Sequence, residues 1–166
     1  MESNVTITKD VLSDGLIKKI KTESMDPACL STNLTSWQPE LIGASGTVLI
    51  YTIKDELLKE LTSEIIKKFP IVKDYELMAS YYLGSRLSYI QWHTDMPHKF
   101  AMTIYVNNHW DKNWSGSFVY RDIDERIIAV YPEYNISVSF TPPVWHASNM
   151  PTLLAPLRES IQIFCD

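Results

Sequence analysis

Two of the four histidines in this 166-residue chain fall into a pattern that could do chemistry. His93-Thr94-Asp95 is an HxD at the end of a predicted strand, where side chains at i and i+2 project from the same face. An imidazole and a carboxylate side by side can supply two ligands to one metal ion. A third could come from His146, 146 − 95 = 51 residues beyond Asp95, on a late predicted strand that follows Pro142-Pro143. Two neutral imidazoles and one carboxylate on one side of an ion form the facial set that suits non-haem Fe(II) and leaves three positions open.

An HxD with a distant histidine is a frequent chance match, so a second feature is needed. Arg158 supplies it, 158 − 146 = 12 residues past the second histidine at the start of the last predicted strand, with Ser160 on the same face. A guanidinium and a hydroxyl there could hold a carboxylate at a fixed distance from the metal.

In this order the residues from Tyr81 to the C-terminus resemble the Fe(II)/2-oxoglutarate-dependent oxygenases, especially their prolyl-hydroxylase-like branch. The resemblance runs through Tyr81-Tyr82-Leu83-Gly84, His93-Thr94-Asp95-Met96-Pro97, Thr103-Ile104-Tyr105-Val106-Asn107 with Trp110, and Trp114-Ser115-Gly116. It continues through Tyr131-Pro132-Glu133-Tyr134-Asn135, Ser137-Val138-Ser139-Phe140, His146 and Arg158. The resemblance implies that His93, Asp95 and His146 bind Fe(II) and that Arg158 pairs with the far carboxylate of 2-oxoglutarate. Tyr105 falls where the branch has a tyrosine reaching the cosubstrate, and Tyr82 or Tyr81 would be a second.

The implied reaction consumes O2 and 2-oxoglutarate, releases succinate and CO2, and hydroxylates a C–H bond, with ascorbate as a supporting reductant. Asp95 favours hydroxylation, because halogenases of this superfamily replace that carboxylate with halide. Two positions depart from the branch. Gly116-Ser117 stands where a glycine pair is usual, and Arg158 where several prolyl hydroxylases have lysine.

The elements that must position these groups divide the chain. Val11, Leu12, Leu16, Ile17 and Ile20 predict a helix over Val11 to Lys21 with Asp10 as N-cap. Leu57, Leu58, Leu61, Ile65, Ile66 and Phe69 predict a second amphipathic helix, ended by Pro70, with a strand at Thr47 to Tyr51 before it. Beyond Glu76 the pattern is of short strands: 77–83, 87–94, 100–107, 117–121, 126–131, 136–140, 144–147 and 158–165. This is an α+β, mainly β chain, a sandwich or barrel with two N-terminal helices packed outside it. The family's fold, a double-stranded β-helix or jelly roll, agrees. One domain over 1–166 is expected, with 1–75 as helical support and loop and 76–166 as the jelly-roll core.

Composition narrows the partners. Hydrophobic residues make up 45% and charged residues 21%, which fits a soluble globular chain and excludes a disordered one. No apolar run approaches the roughly 18 residues a membrane helix needs. A net charge of −5 disfavours nucleic acid, so oxidative demethylation of nucleic acid is the lesser alternative. A non-catalytic metal- or ligand-binding jelly-roll module is another, against which all three ligands and the basic residue are kept. Cys29 and Cys165 form no disulfide or metal-finger pattern, and no secretory signal is visible, so a cytoplasmic protein is expected. Matches to the N-glycosylation pattern at Asn4, Asn33, Asn113 and Asn135 are then chance matches.

The substrate is a protein or peptide, prolyl included, or a small molecule. Residues 22–46, without periodicity, are expected with 96–99 to form the rim of its site, where Trp37 either lines that rim or tucks into the side of the helical layer. Trp92 and Trp145 should pack on the face opposite the histidines, while one of Trp110 and Trp114, in a polar connection, is a candidate substrate contact. His98 and His109 read as surface residues.

Overall fold

Alternation in the last strand sets Arg158, Ser160 and Gln162 on one face and Ile161, Ile163 and Cys165 on the other. That strand lies at the centre of the fold. The computed structural model describes residues 5–37, 41 and 46–166. Its strands are β1 (Val5–Lys9), β2 (Leu30–Thr32), β3 (Val48–Ile53), β4 (Leu77–Gly84), β5 (Ile90–His93) and β6 (Phe100–Tyr105). They continue with β7 (Phe118–Arg121), β8 (Ile127–Val130), β9 (Ile136–Phe140), β10 (His146–Ser148) and β11 (Arg158–Cys165). The helices are α1 (Asp14–Glu23), the short α2 (Asn33–Ser36) and α3 (Asp55–Lys68).

The strands form two antiparallel sheets, a seven-stranded one in the order β1-β9-β6-β11-β4-β3-β2 and a four-stranded one in the order β5-β10-β7-β8. The arrangement is jelly-roll-like, mostly β with few helices.

The helices and the large sheet share one apolar core. Leu16, Ile17 and Ile20 of α1 and Leu57, Leu61 and Ile65 of α3 are buried with Ile53, Ala79, Tyr81, Ile104, Ile161 and Ile163. Fully burying such a side chain is worth roughly 1.5–3 kcal/mol, so this stripe, not helix propensity, holds α3 in place. A second cluster, with Tyr105, Phe118, Tyr120, Val138 and Phe140, joins the two sheets. The site lies beside it.

Several expectations change. The first helix begins at Asp14, not Val11, because Ser13 is the N-cap and its hydroxyl accepts from the Leu16 amide. Asp10 instead takes a left-handed conformation at φ 53°. Val11 and Leu12 are buried ahead of the helix, where the Asn135 side chain bonds both the N–H and the C=O of Leu12. Residues 22–46 are not structureless: β2 pairs with β3, and α2 follows it. Residues 38–40 and 42–45 of that segment, like Asn4, lie outside the described residues. The edge strand β1 escapes prediction because its five residues carry only two apolar side chains, and pairing with β9 is what makes it a strand. The strand expected at 87–94 is confined to Ile90–His93, since Ser88 folds its hydroxyl back onto the Ser85 carbonyl in a tight turn.

Among the described residues no helix is long and apolar enough to cross a membrane. Cys29 and Cys165 are both free thiols. Asn33 and Asn135 are buried and hydrogen-bonded.

Candidate active site

The small sheet brings two distant histidines into register. β5 and β10 are antiparallel neighbours with His93 directly opposite His146, so the 4.2 Å between the ring centroids follows from strand pairing. Asp95, just past the end of β5, turns its carboxylate between them: Oδ1 is 3.5 Å from His93 Nε2 and Oδ2 is 3.5 Å from His146 Nε2. All three ligand atoms lie within 4.8 Å of one another.

The backbone fixes which imidazole nitrogens face inward. His93 Nδ1 sits 2.7 Å from the Gln91 carbonyl and His146 Nδ1 2.9 Å from the Val144 carbonyl. A carbonyl only accepts, so each Nδ1 carries hydrogen and each neutral ring presents the Nε2 lone pair to the centre. This outer bond to a carbonyl is the usual way a ligating histidine is oriented. Burial favours the neutral imidazole of His146 most strongly, against the pull of Asp95. Two Nε2 lone pairs and one carboxylate converging in this way can hold a divalent ion with borderline N/O preference, and Fe(II) is such an ion.

The large sheet supplies the opposite wall. Arg158 and Ser160 of β11, Tyr105 and Thr103 of β6 and Tyr82 of β4 line the same cavity of about 240 Å³ as the three candidate ligands. Alternation separates the two adjacent tyrosines. Tyr82 faces the cavity, whereas Tyr81 faces the helical core and donates its hydroxyl to Glu159 Oε2 at 2.7 Å. Of the two, only Tyr82 is placed to touch a ligand there.

Arg158 is buried and donates through Nη1 to the carbonyls of Gly116 at 3.0 Å and Asn149 at 2.8 Å. No described carboxylate pairs with it. Burial pulls its proton affinity down while Tyr105 beside it acts the other way, and a guanidinium stays charged regardless. Gly116 explains part of the local sequence. It sits at φ +75° with Trp110 Cζ2 only 2.8 Å from where a Cβ would be, so a side chain has no room. Ser117, in place of a second glycine, is buried and accepts from Asn149 Nδ2 at 3.0 Å.

Other expectations resolve differently. Trp110 is buried, donates to the Ser115 carbonyl and meets Trp114 edge-on, and neither lines the cavity, so both are structural. Trp92 and Trp145 do face away from the cavity, but they are 36% and 54% exposed and not packed in a core. Arg121 lies over the Trp92 ring. His109 is exposed as expected. His98 is not a free surface residue: its Nδ1 is 2.6 Å from Asp166 Oδ1, it packs on Phe164, and it lines the cavity together with Met96.

Trp37 also reaches the cavity, with its indole N–H donating to the Tyr82 hydroxyl. Gln162 and Phe164 were legible but missed, since they continue the Arg158, Ser160 alternation. Gln162 accepts from Thr103 and donates to Ser160. Gly84 also lines the cavity, two residues beyond Tyr82 on the same face of β4.

No family model matches the chain, and no curated protein sequence does. Solved structures do match. A prolyl-4-hydroxylase from Pseudomonas putida superposes with a TM-score of 0.73 at 14% identity, over 98% of this chain and 92% of that one. A prolyl hydroxylase from Trichoplax adhaerens, solved with a peptide fragment of the hypoxia inducible factor oxygen degradation domain, gives 0.75 at 15% identity, over 98% and 83%. The non-haem alpha-ketoglutarate-dependent epimerase SnoN of nogalamycin biosynthesis gives 0.67 at 11% identity, over 99% and 78%. The chain therefore has the fold of these enzymes.

Proposed function

We propose that the protein is an Fe(II)- and 2-oxoglutarate-dependent dioxygenase that hydroxylates a C–H bond and releases succinate and CO2. The observation that carries this reading is Arg158, a buried cation without a carboxylate partner among the described residues, in one cavity with two Nε2 lone pairs and a carboxylate. A buried charge left unpaired is costly, and a dicarboxylate bridging Arg158 and a metal would relieve it. The fold shared with an alpha-ketoglutarate-dependent enzyme supports the same cosubstrate.

In this reading His93, Asp95 and His146 hold the iron. Arg158 takes the far carboxylate in its remaining N–H groups, with Ser160, Tyr105 and Tyr82 as neutral partners along the cavity wall. Burial raises the Tyr105 phenol to about 12, so its hydroxyl keeps its hydrogen for donation at neutral pH. Bound iron supplies O2 activation coupled to oxidative decarboxylation of the cosubstrate, with ascorbate keeping it reduced. The two sheets wall the cavity and largely bury the groups that line it, which strengthens each of these polar contacts. We further read the two sheets as a double-stranded β-helix and the chain as one domain, with residues 1–75 supporting the core at 76–166.

A peptide substrate, prolyl or otherwise, draws support from the Trichoplax hydroxylase, whose structure holds a peptide. A small molecule is the other substrate class. The net charge of −5 weighs against nucleic acid. The deciding experiment measures succinate formed from 2-oxoglutarate by the Fe(II)-loaded protein with ascorbate, first without substrate and then with peptide and small-molecule panels. Absence of metal-dependent succinate in every arm, with 2-oxoglutarate still intact, rejects the proposal.

A further inference from the structure

We propose that Trp37 is a positioning residue for the cosubstrate: its indole N–H occupies the acceptor side of the Tyr82 hydroxyl and aims that hydroxyl's own hydrogen at a carboxylate oxygen in the cavity. The inference rests on the dioxygenase reading and adds to it a residue from outside the β core.

Trp37 Nε1 lies 3.2 Å from the Tyr82 hydroxyl oxygen, with the two rings 5.9 Å apart and tilted by 35°. An indole N–H only donates, so the phenol oxygen is the acceptor in this bond. A phenolic O–H prefers the ring plane and has two in-plane directions. With one of them filled by the incoming Trp37 N–H, the hydroxyl hydrogen is left the other. Among the described residues none accepts that hydrogen, and the bond from Trp37 is the one hydrogen bond the Tyr82 hydroxyl makes there. Both side chains line the cavity that holds Arg158 and the three candidate ligands. The hydrogen is also firmly held: burial pushes the Tyr82 phenol up, the Trp37 bond pulls it partly back, and the Asp95 carboxylate pushes it up further.

A donor bonded in this way is pre-organised, because the rotation it would lose on binding is already restricted. A Trp37 that merely packed over the cavity would act without regard to the Tyr82 hydroxyl. The two roles therefore differ in their coupling.

The test is calorimetric titration of 2-oxoglutarate into protein loaded with Mn(II), a redox-inert stand-in for Fe(II), so no turnover is needed. Trp37→Phe keeps a ring and loses the N–H, and binding should weaken about fivefold, the size of one neutral hydrogen bond. Tyr82→Phe should weaken it by at least as much, and the double variant should bind no more weakly than Tyr82→Phe alone. Wild-type affinity in Trp37→Phe, or an undiminished Trp37 effect in the Tyr82→Phe background, would overturn the relay while leaving the cosubstrate reading intact. Wild-type protein that binds no 2-oxoglutarate at all would overturn both.

Discussion

His93 and His146 stand directly opposite each other across β5 and β10, with ring centroids 4.2 Å apart and each Nδ1 bonded to the carbonyl two residues before it. Strand register thus sets the separation of the two imidazoles, and the backbone sets the tautomer. His146→Ala should abolish stoichiometric Fe(II) binding and turnover together, as read by metal analysis of the reconstituted protein and by succinate formation. Full metal affinity in that variant would remove His146 from the ligand set.

Arg158 has two jobs in the fold as proposed, since its Nη1 bonds two backbone carbonyls while the residue also lines the cavity. Arg158→Ala should cost on the order of 2–4 kcal/mol in 2-oxoglutarate binding, the range for losing a charge-assisted bidentate partner. Metal affinity should change little. Arg158→Lys restores the cation but not the fork, and should recover only part of the loss. Unaltered 2-oxoglutarate affinity in Arg158→Ala, measured by calorimetry, would place the cosubstrate elsewhere.

Gly116 couples packing to the site, because its carbonyl anchors Arg158 while Trp110 covers its Cα. Gly116→Ala puts a Cβ 2.8 Å from Trp110 Cζ2 at φ +75°, and should destabilise the protein by about 1–3 kcal/mol. Urea denaturation reads the stability, and a parallel titration should show weaker 2-oxoglutarate binding as the Arg158 anchor shifts. A variant as stable as the parent would mean that Trp110 moves aside at little cost.

Tyr105 should leave a signature at high pH. Its phenol ionises near 12 in the folded chain, against an ordinary value near 10 when unfolded. Below about pH 10 both states keep the proton and stability is indifferent to this group. Between about 10 and 12 the unfolded state gives the proton up while the folded state holds it, so stability falls by up to about 1.4 kcal/mol per pH unit. Comparison with Tyr105→Phe isolates the effect, and the variant should lose less stability over that window in denaturant titrations. Parallel pH profiles for the two proteins would show that Tyr105 titrates normally.

What the sequence determined by itself is what repeats at short range. The period of α3 and the alternation of β11 are set within a few residues and reappear in the structure with small shifts in their ends, whereas of the HxD only His93 lies on a strand and Asp95 follows just past its end. The same alternation distinguishes Tyr82 from Tyr81, once the buried face of β4 is known. Longer-range outcomes depended on pairing and packing that no local pattern encodes. β1 is a strand because β9 offers it an edge, and the first helix starts late because Asn135, more than 120 residues away, clamps Leu12 ahead of it. Trp110 and Trp37 show the same limit from opposite sides. Both are large aromatics in irregular segments, yet one fills the space above Gly116 and the other reaches the cavity through Tyr82. An aromatic ring will bury against whatever apolar surface the fold brings within reach, and only the assembled sheets decide which surface that is.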